Sequence, residues 1–504
     1  MSKTKLRNFN TGGFIDIFNN KRLSTPMYVT PQMFGAKANG ITDDTQAIKN
    51  AVAFLKDGDT LFFPQGVYQV SALGYRDNII DLKYLNNISI QGDTNSIIIL
   101  KPNSFRGFNI ININSCDNFV IEGLTIKGDR KDHSYIGIED GVTHALGMAI
   151  NIMYENNYAG TGKNMNGIIK NCEFFDMTGD GICMRNGGSA TLVRDENNNV
   201  TEILDEKPIY GRITIDNCYI HHCRRQGISV LNCDEVVVKN CEICYIGHEY
   251  ESGHYADPNY IILRGSAPMA GIDLEPDQGT YKINKFTLLN SHIHHTDHVS
   301  VISAFGRVKQ YSFCNNFLAS VKVGKSIWGY ESANFYNHRF ILDGEHWSYP
   351  YSGLADEGKY ANCSFDCQRS NEEEFLIDGY RLDNCTILGS LGTKTVVDIN
   401  EEEKEVPLIR LYGSHYTGCD FYNVRIMGVS PKHLNNFKND TFFNSTFACY
   451  GKELITFALC DLVDNKVIML EKKEAMDSTV SYNGCVLDIP LLKNPALNNS
   501  VITN

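Results

Sequence analysis

No apolar run in these 504 residues reaches the length of a membrane span. The opening stretch MSKTKLRNFNTGGFIDIFNN lacks the apolar core of a signal peptide. That predicts a chain made in the cytosol which, if it acts outside, leaves by a route such as lysis. Positive charge is short too. Lys and Arg number 46 against 59 Asp and Glu, a net charge of -13. This argues against nucleic acid or an anionic membrane as the main partner. The 16 Cys would allow disulfides or a metal site, but no two CxxC motifs stand at zinc-ligand spacing, and Cys363/Cys367 is an isolated CxxxC. Six of the Cys follow an Asn beside alternating apolar residues, which predicts buried, reduced thiols.

What the chain does have is a repeat. The segments 169-IKNC-172, 215-IDNC-218, 238-VKNC-241 and 288-LLNS-291 align, and Cys218 and Cys241 stand 23 residues apart. A glycine follows nine residues after the Cys in two of them, Gly181 in GDGI and Gly227 in QGIS. Gly271 in AGID fits with about 21 further residues inserted. Each unit reads as short alternating strands between turns. One unit cannot bury its apolar face, but stacked units can, with strands about 4.8 Å apart. Asn171, Asn217, Asn240 and Asn290 then form a ladder of turn amides, with Cys172, Cys218, Cys241 and Ser291 packed beside it. The prediction is an all-β parallel β-helix. The runs 376–387, 418–426 and 440–447 read as further, less regular coils.

The segment 34-FGAKANGITDDTQAIKNAVAFLKDGDTLFFPQGVYQV-70 resembles the opening of the pectate-lyase superfamily domain, where FGAxGDGxTDDTxAI precedes a helix and then a strand with FPxGxY. The resemblance implies a right-handed, single-stranded, pectin-lyase-like β-helix, in line with the right-handed crossover rule for parallel strands. The residues agree: Ile48, Val52 and Leu55 form one helical face, and Asp43 is placed to N-cap a helix over 43–56 with Gln46 three residues on. Such a helix caps the open end of the solenoid, so Asp43 and Asp44 read as structural. Within the superfamily the chain looks most like bacteriophage tail spikes. That resemblance implies an attachment segment at 1–25, a β-helix over 26–310 and a less regular β continuation over 311–504 with trimer contacts. It also implies a homotrimer on the virion tail, partnered by other tail proteins and by a bacterial surface polysaccharide or teichoic-acid-like glycan. None of the polygalacturonase signatures NTD, GHG and RIK, nor the WIDH segment of calcium pectate lyases, is present. Pectin-type chemistry is therefore not expected.

The stretch 270-AGIDLEPDQG-279 alternates two aliphatics with two carboxylates. With Ile272 and Leu274 inward, Asp273 and Glu275 point outward. Aligning the glycine coils puts Asn151, Arg185, Leu231 and Glu275 on one outward column, and Ala149, Cys183, Ser229 and Asp273 on the other. Insertions flank this face: 130–145 with Glu139 and Asp140, a hairpin-like 187–209, and 247–269 with His254, Tyr255 and Arg264. Three loops around one strip suit an extended sugar chain. Paired carboxylates suit glycoside hydrolysis, one as acid and one as base or nucleophile, with Asp180 as a third candidate. Arg185, Asn151, His254, Tyr255, Arg264, Glu139 and Asp140 are the expected substrate contacts. Three alternatives stay open: a salt-bridged strand face using Arg185 or Arg264, a Ca²⁺ site adding Asp277, and a lyase with Arg185, Tyr255 or His254 as base. A non-catalytic adhesin is the rival from another class. No cofactor is expected beyond that Ca²⁺. His222, Tyr245 and His295 share one aligned position and read as a stacked turn ladder, and 221-HHCRR-225 reads as a polar corner.

Overall fold

In this computed structural model the chain forms two compact units, residues 1–287 with 307–309, and residues 288–306 with 310–504. The structure describes residues 26–135, 146–154, 165–185, 211–247, 265–266, 268–276 and 282–297, then strand-sized stretches as far as 502. For the strands at 5–7, 14–16, 21–22, 191–194 and 200–204 it gives backbone alone.

The first unit is built of coils, each adding one strand to each of three parallel sheets. One coil runs Arg212–Asp216, Tyr219–His221, Gln226–Val230. The next begins with Cys233–Lys239 and Glu242–Cys244, pairing Ile213 with Val236 and Tyr219 with Glu242, a step of 23 residues. The larger gap from Cys172 to Cys218 is a single coil. Gly167–Lys170 pairs directly with 213–216, and the extra length is an antiparallel hairpin of Thr191–Arg194 and Val200–Leu204. The hairpin expected there is present, and the fold is the parallel β-helix. The second unit repeats the pattern, for example in the parallel pairs of 364–366 with 386–388 and of 386–388 with 420–422.

The core is a set of aliphatic columns. Ile121, Ile169, Ile215 and Val238 form one, and Ile126, Phe174, Ile220 and Ile243 another, all fully buried. Each such side chain contributes about 1.5–3 kcal/mol relative to exposure, and each packs on the equivalent residue of its neighbouring coils.

The Asn-Cys dipeptide has a geometric cause. Asn171, Asn217 and Asn240 are left-handed, with φ of 55, 51 and 54°. Asparagine tolerates that region best among non-glycine residues. Asn217 Nδ2 donates to Asn171 Oδ1 at 2.8 Å, but Asn240 Nδ2 donates to Asp216 Oδ1 instead, so the amide ladder shifts partner there. It appears again in the second unit, Asn315 to Asn290 at 2.8 Å and Asn362 to Asn337 at 3.2 Å. The sharp bend returns the next residue to the interior. Cys172 and Cys241 are buried, and each thiol donates to the carbonyl two residues earlier at 3.1 Å. The cysteines of the ladder are free thiols.

Helix α1 spans Thr45–Phe54, shorter than the expected 43–56, and buries Ile48 and Ala51. The expected cap needs correction. Asp44 is the N-cap, and its carboxylate holds the preceding loop, accepting Lys37 N at 2.7 Å and Ala38 N at 2.9 Å. Asp43 accepts from Thr45 N at 3.0 Å. Both aspartates bind backbone, as a structural pair should. Lys49 then ties the helix to Asp77 at 2.7 Å.

The sheet that carries the outward carboxylates has six strands in the first unit: β1 Asp77–Lys83, β2 Gly107–Asn114, β3 Leu146–Met153, β4 Asp180–Arg185, β5 Gln226–Val230 and β6 Ile272–Leu274.

Candidate active site

Register fixes which side chains share a column. Asp81, Asn112, Asn151, Cys183, Ser229 and Asp273 pair in turn from β1 to β6. This corrects the predicted columns. Asn151 pairs with Cys183, on the Asp273 column, and Met153 is the residue opposite Arg185. The prediction aligned Gly147 with Gly181, but the Gly179 N–H donates to the Gly147 carbonyl, a shift of two residues. Because β3 is buried along almost its whole length, it has no alternation to reveal its phase.

Asn112 Nδ2 donates to Asp81 Oδ1, and Asn151 Nδ2 to Asn112 Oδ1, both at 2.7 Å. Arg185 Nε then donates to Asn151 Oδ1 at 2.9 Å. The strip beside the carboxylates is thus a continuous hydrogen-bonded ladder. Asn151 and Arg185 are brought together as neighbours.

The carboxylates gather where β4, β5 and β6 meet. Glycine makes this possible. A Cβ at Gly181 would stand 2.6 Å from Ile220 Cγ2, and one at Gly227 2.5 Å from the Gly271 carbonyl and 2.6 Å from Ile243 Cγ2. The chain therefore presses onto the core at both places. The residues just before these glycines, Asp180 and Gln226, pair in register. Both are fully buried, as is Asp273 at 2% exposure.

One guanidinium ties the group together. Arg225 Nη1 lies 3.0 Å from Asp180 Oδ2, and Arg225 Nη2 lies 3.6 Å from Glu275 Oε2. A salt bridge at this face was one of the open alternatives; among the described residues Glu275 pairs with Arg225. Arg225 Nη1 also donates to Gln226 Oε1 at 2.9 Å, and Gln226 Nε2 donates to Asp273 Oδ2. The Oδ1 of Asp273 is buried and receives no donor among the described residues.

Burial drives the electrostatics. It pushes the Asp273 carboxyl well above the usual carboxylate range; the Glu275 charge adds to this, and Arg225 opposes it. Burial also raises Asp180, against the pull of Arg225 and Arg185. Burial works against the Arg225 charge, but Asp180 and the other acids outweigh it and hold that charge firmly. The cluster therefore sets a buried carboxyl whose protonated form is favoured beside two further carboxyls held by a fixed cation, an unequal environment of the kind acid–base chemistry uses.

Arg225 and Gln226 were missed by sequence reasoning, which took 221-HHCRR-225 as a polar corner. Their partners on other coils lie 45 to 50 residues away in sequence, beyond any local pattern. The available signal was the coil alignment itself, which sets Gln226 against Asp180. In the same corner His221 Nδ1 and His222 Nδ1 are 2.7 Å from each other, although adjacent side chains of one strand would point apart. His222 has left the strand with a φ of 55°, and its ring stacks on Tyr245 at 4.9 Å. Glu139, Asp140, His254, Tyr255, Arg264 and Asp277 lie outside the described residues.

Fold and cluster together define the class: a parallel β-helix with a buried acidic cluster on one sheet. Residues 30–253 match the family described as rhamnogalacturonase A/epimerase, pectate lyase-like, so the resemblance read from residues 34–70 holds. The chain is 28% identical over 249 residues to the uncharacterized protein YclG of Bacillus subtilis (strain 168), covering 48% of this chain and 37% of that one. It is 27% identical over 163 residues to the capsule K30/K69-specific depolymerase of Klebsiella phage K64-1, covering 29% of this chain and 21% of that one. It thus spans little more than a third, or less, of these relatives' length. Among solved structures it is similar to the Azotobacter vinelandii mannuronan C-5 epimerase AlgE6 A-module, with a TM-score of 0.40 and 13% identity over 94% of this chain and 99% of that one.

Proposed function

We propose that this chain is a phage tail-spike depolymerase, which binds a bacterial surface polysaccharide and hydrolyses its glycosidic bonds at Asp273, Glu275 and Asp180. The observation that carries the reading is the cluster itself: a buried Asp273 next to Glu275 and Asp180, with Arg225 between the latter two. The relative from Klebsiella phage K64-1, a capsule depolymerase, supports the substrate class. In this reading Asp273 gives its proton to the glycosidic oxygen as the bond to the anomeric carbon breaks. The bond's electron pair leaves with that oxygen. Water adds to the anomeric carbon, and a neighbouring carboxylate takes the water's proton. The buried Asn112 and Asn151 amides hold Arg185 at the end of their ladder, and its partly exposed guanidinium suits the hydroxyls of an extended chain. Residence on the virion tail, trimeric assembly and attachment through other tail proteins belong to the same proposal.

The test is incubation with a panel of purified bacterial capsular and wall polysaccharides, scoring new reducing ends. Asp273→Asn and Glu275→Gln are expected to lower the rate by about 10²–10⁴-fold with binding retained. Full activity in both variants removes the site assignment. Product that absorbs as an unsaturated uronate marks a lyase, and binding without new ends marks an adhesin.

A further inference from the structure

The polar groups around Asp273 are arranged more narrowly than acid–base chemistry by itself requires. Gln226 has an amide that can present either end to its neighbours. Here its Oε1 is claimed by Arg225 Nη1 at 2.9 Å. Arg225 cannot release it cheaply, because the same guanidinium holds Asp180 at 3.0 Å and reaches Glu275 at 3.6 Å. Guanidinium carries donors and no acceptor, so only the oxygen end of Gln226 can face it. The Nε2 end must then face Asp273, where it donates to Oδ2. An oxygen that accepts this N–H is the wrong place for the acid's own proton. The other oxygen, Oδ1, is buried and receives no donor among the described residues.

We infer that Arg225 and Gln226 are positioning residues that confine the proton of Asp273 to Oδ1, so that the acid presents its proton in one direction. This rests on the reading of Asp273 as the acid and adds the device that orients it. Arg225 acts through Gln226 on Asp273 and, through its charge, on Asp180 and Glu275. The charged groups that act on Asp273 are Glu275, Arg225 and Asp180, and Arg185 opposes burial at Asp180 from β4. Glu275 also stands within hydrogen-bond reach of Asp273 and favours its protonated form; without the Gln226 donor, the ionised form loses the bond to Oδ2 and the neutral form gains a second site for its proton. Both changes favour the protonated state.

The test is an infrared titration of full-length protein carrying isotope-labelled aspartate side chains, with Asp273→Asn as the blank that isolates this carboxyl. Gln226→Met keeps length and shape but cannot donate. It is expected to raise the Asp273 midpoint by about one pH unit, the scale of one hydrogen bond to a charged group. Gln226→Glu is the second variant should Met prevent folding, and it shifts the midpoint in the same direction. Arg225→Lys separates positioning from charge. It keeps the positive charge but loses the fork that pins the amide, so a shift is expected where a through-space charge effect predicts none. An unmoved midpoint in the Gln226 variants overturns the inference. The titration needs no substrate, so the two proposals fail separately. A shifted midpoint in a protein that cuts no polysaccharide leaves proton placement standing and removes the hydrolase reading. An unmoved midpoint in an active enzyme does the reverse.

Discussion

Asp273 stores instability in return for a usable proton. Its carboxyl is raised in the folded state by burial and by Glu275, so the fold prefers it protonated. The sign follows from linkage. Stability from this group is fully present below the unfolded carboxylate value and is lost as pH rises through the raised folded value. Asp273→Asn, which cannot ionise, is expected to lose this pH dependence. Thermal unfolding scanned across pH should show wild type falling relative to the variant on the alkaline side, and parallel curves would refute the buried-acid account. Activity follows the same group, with an alkaline limb where Asp273 gives up its proton. The Ca²⁺ alternative is tested at this scale too. Arg225 already stands between Asp180 and Glu275, so the protein supplies a cation of its own where Ca²⁺ would sit. A chelator is expected to leave the unfolding temperature and polysaccharide cleavage unchanged. Loss of either, restored by added Ca²⁺, would return Asp273, Glu275 and Asp277 to the role of cation ligands.

The turn between strands is the element that sets coil spacing, and it tests the ladder. Asn217 sits at a φ of 51° and donates to Asn171. Asn217→Ala loses the amide bond and places an ordinary side chain in the left-handed region. It should cost about 1–2 kcal/mol. Asn217→Gly restores the backbone freedom and should cost less, since only the bond is missing. Equal losses, measured by denaturant unfolding, would show that the amide bond matters and the backbone does not. The turns were also the most legible part of the sequence. Asn-Cys repeats because one residue must bend the chain and the next must fill the core, and both demands recur at every coil. Strand phase was legible where polar and apolar residues alternate, as at Ile272–Leu274. In β3 burial on both faces erased the alternation, and the register was read two residues out. Arg225 was illegible for a different reason. Its function lies in partners from other coils, and only the stacking brings these within a guanidinium's reach.

At the scale of the molecule, the repeat and the resemblance at 34–70 were enough to name the architecture, because a solenoid uses one rule many times. They could not place the loops around the candidate groove, whose residues follow no repeat. Assembly belongs to this scale. A β-helix closes its coils through parallel pairing along one axis, so it grows by adding coils and presents its sheet faces sideways to partners. The tail-spike reading expects those faces to meet in a threefold arrangement, with the less regular coils after about residue 310 as the contact region. Closed threefold symmetry makes every contact equivalent and ends growth at three chains. Light scattering of the full chain at micromolar concentration should therefore return three times the 56.6 kDa of one chain. Charge supplies the control. Each chain carries a net charge of -13, so repulsion between copies grows as salt is removed. A trimer held by packed surfaces should persist at low salt. A mass that falls to one chain under all conditions would remove the trimer from the proposal while leaving the acidic cluster, which lies within a single chain, untouched.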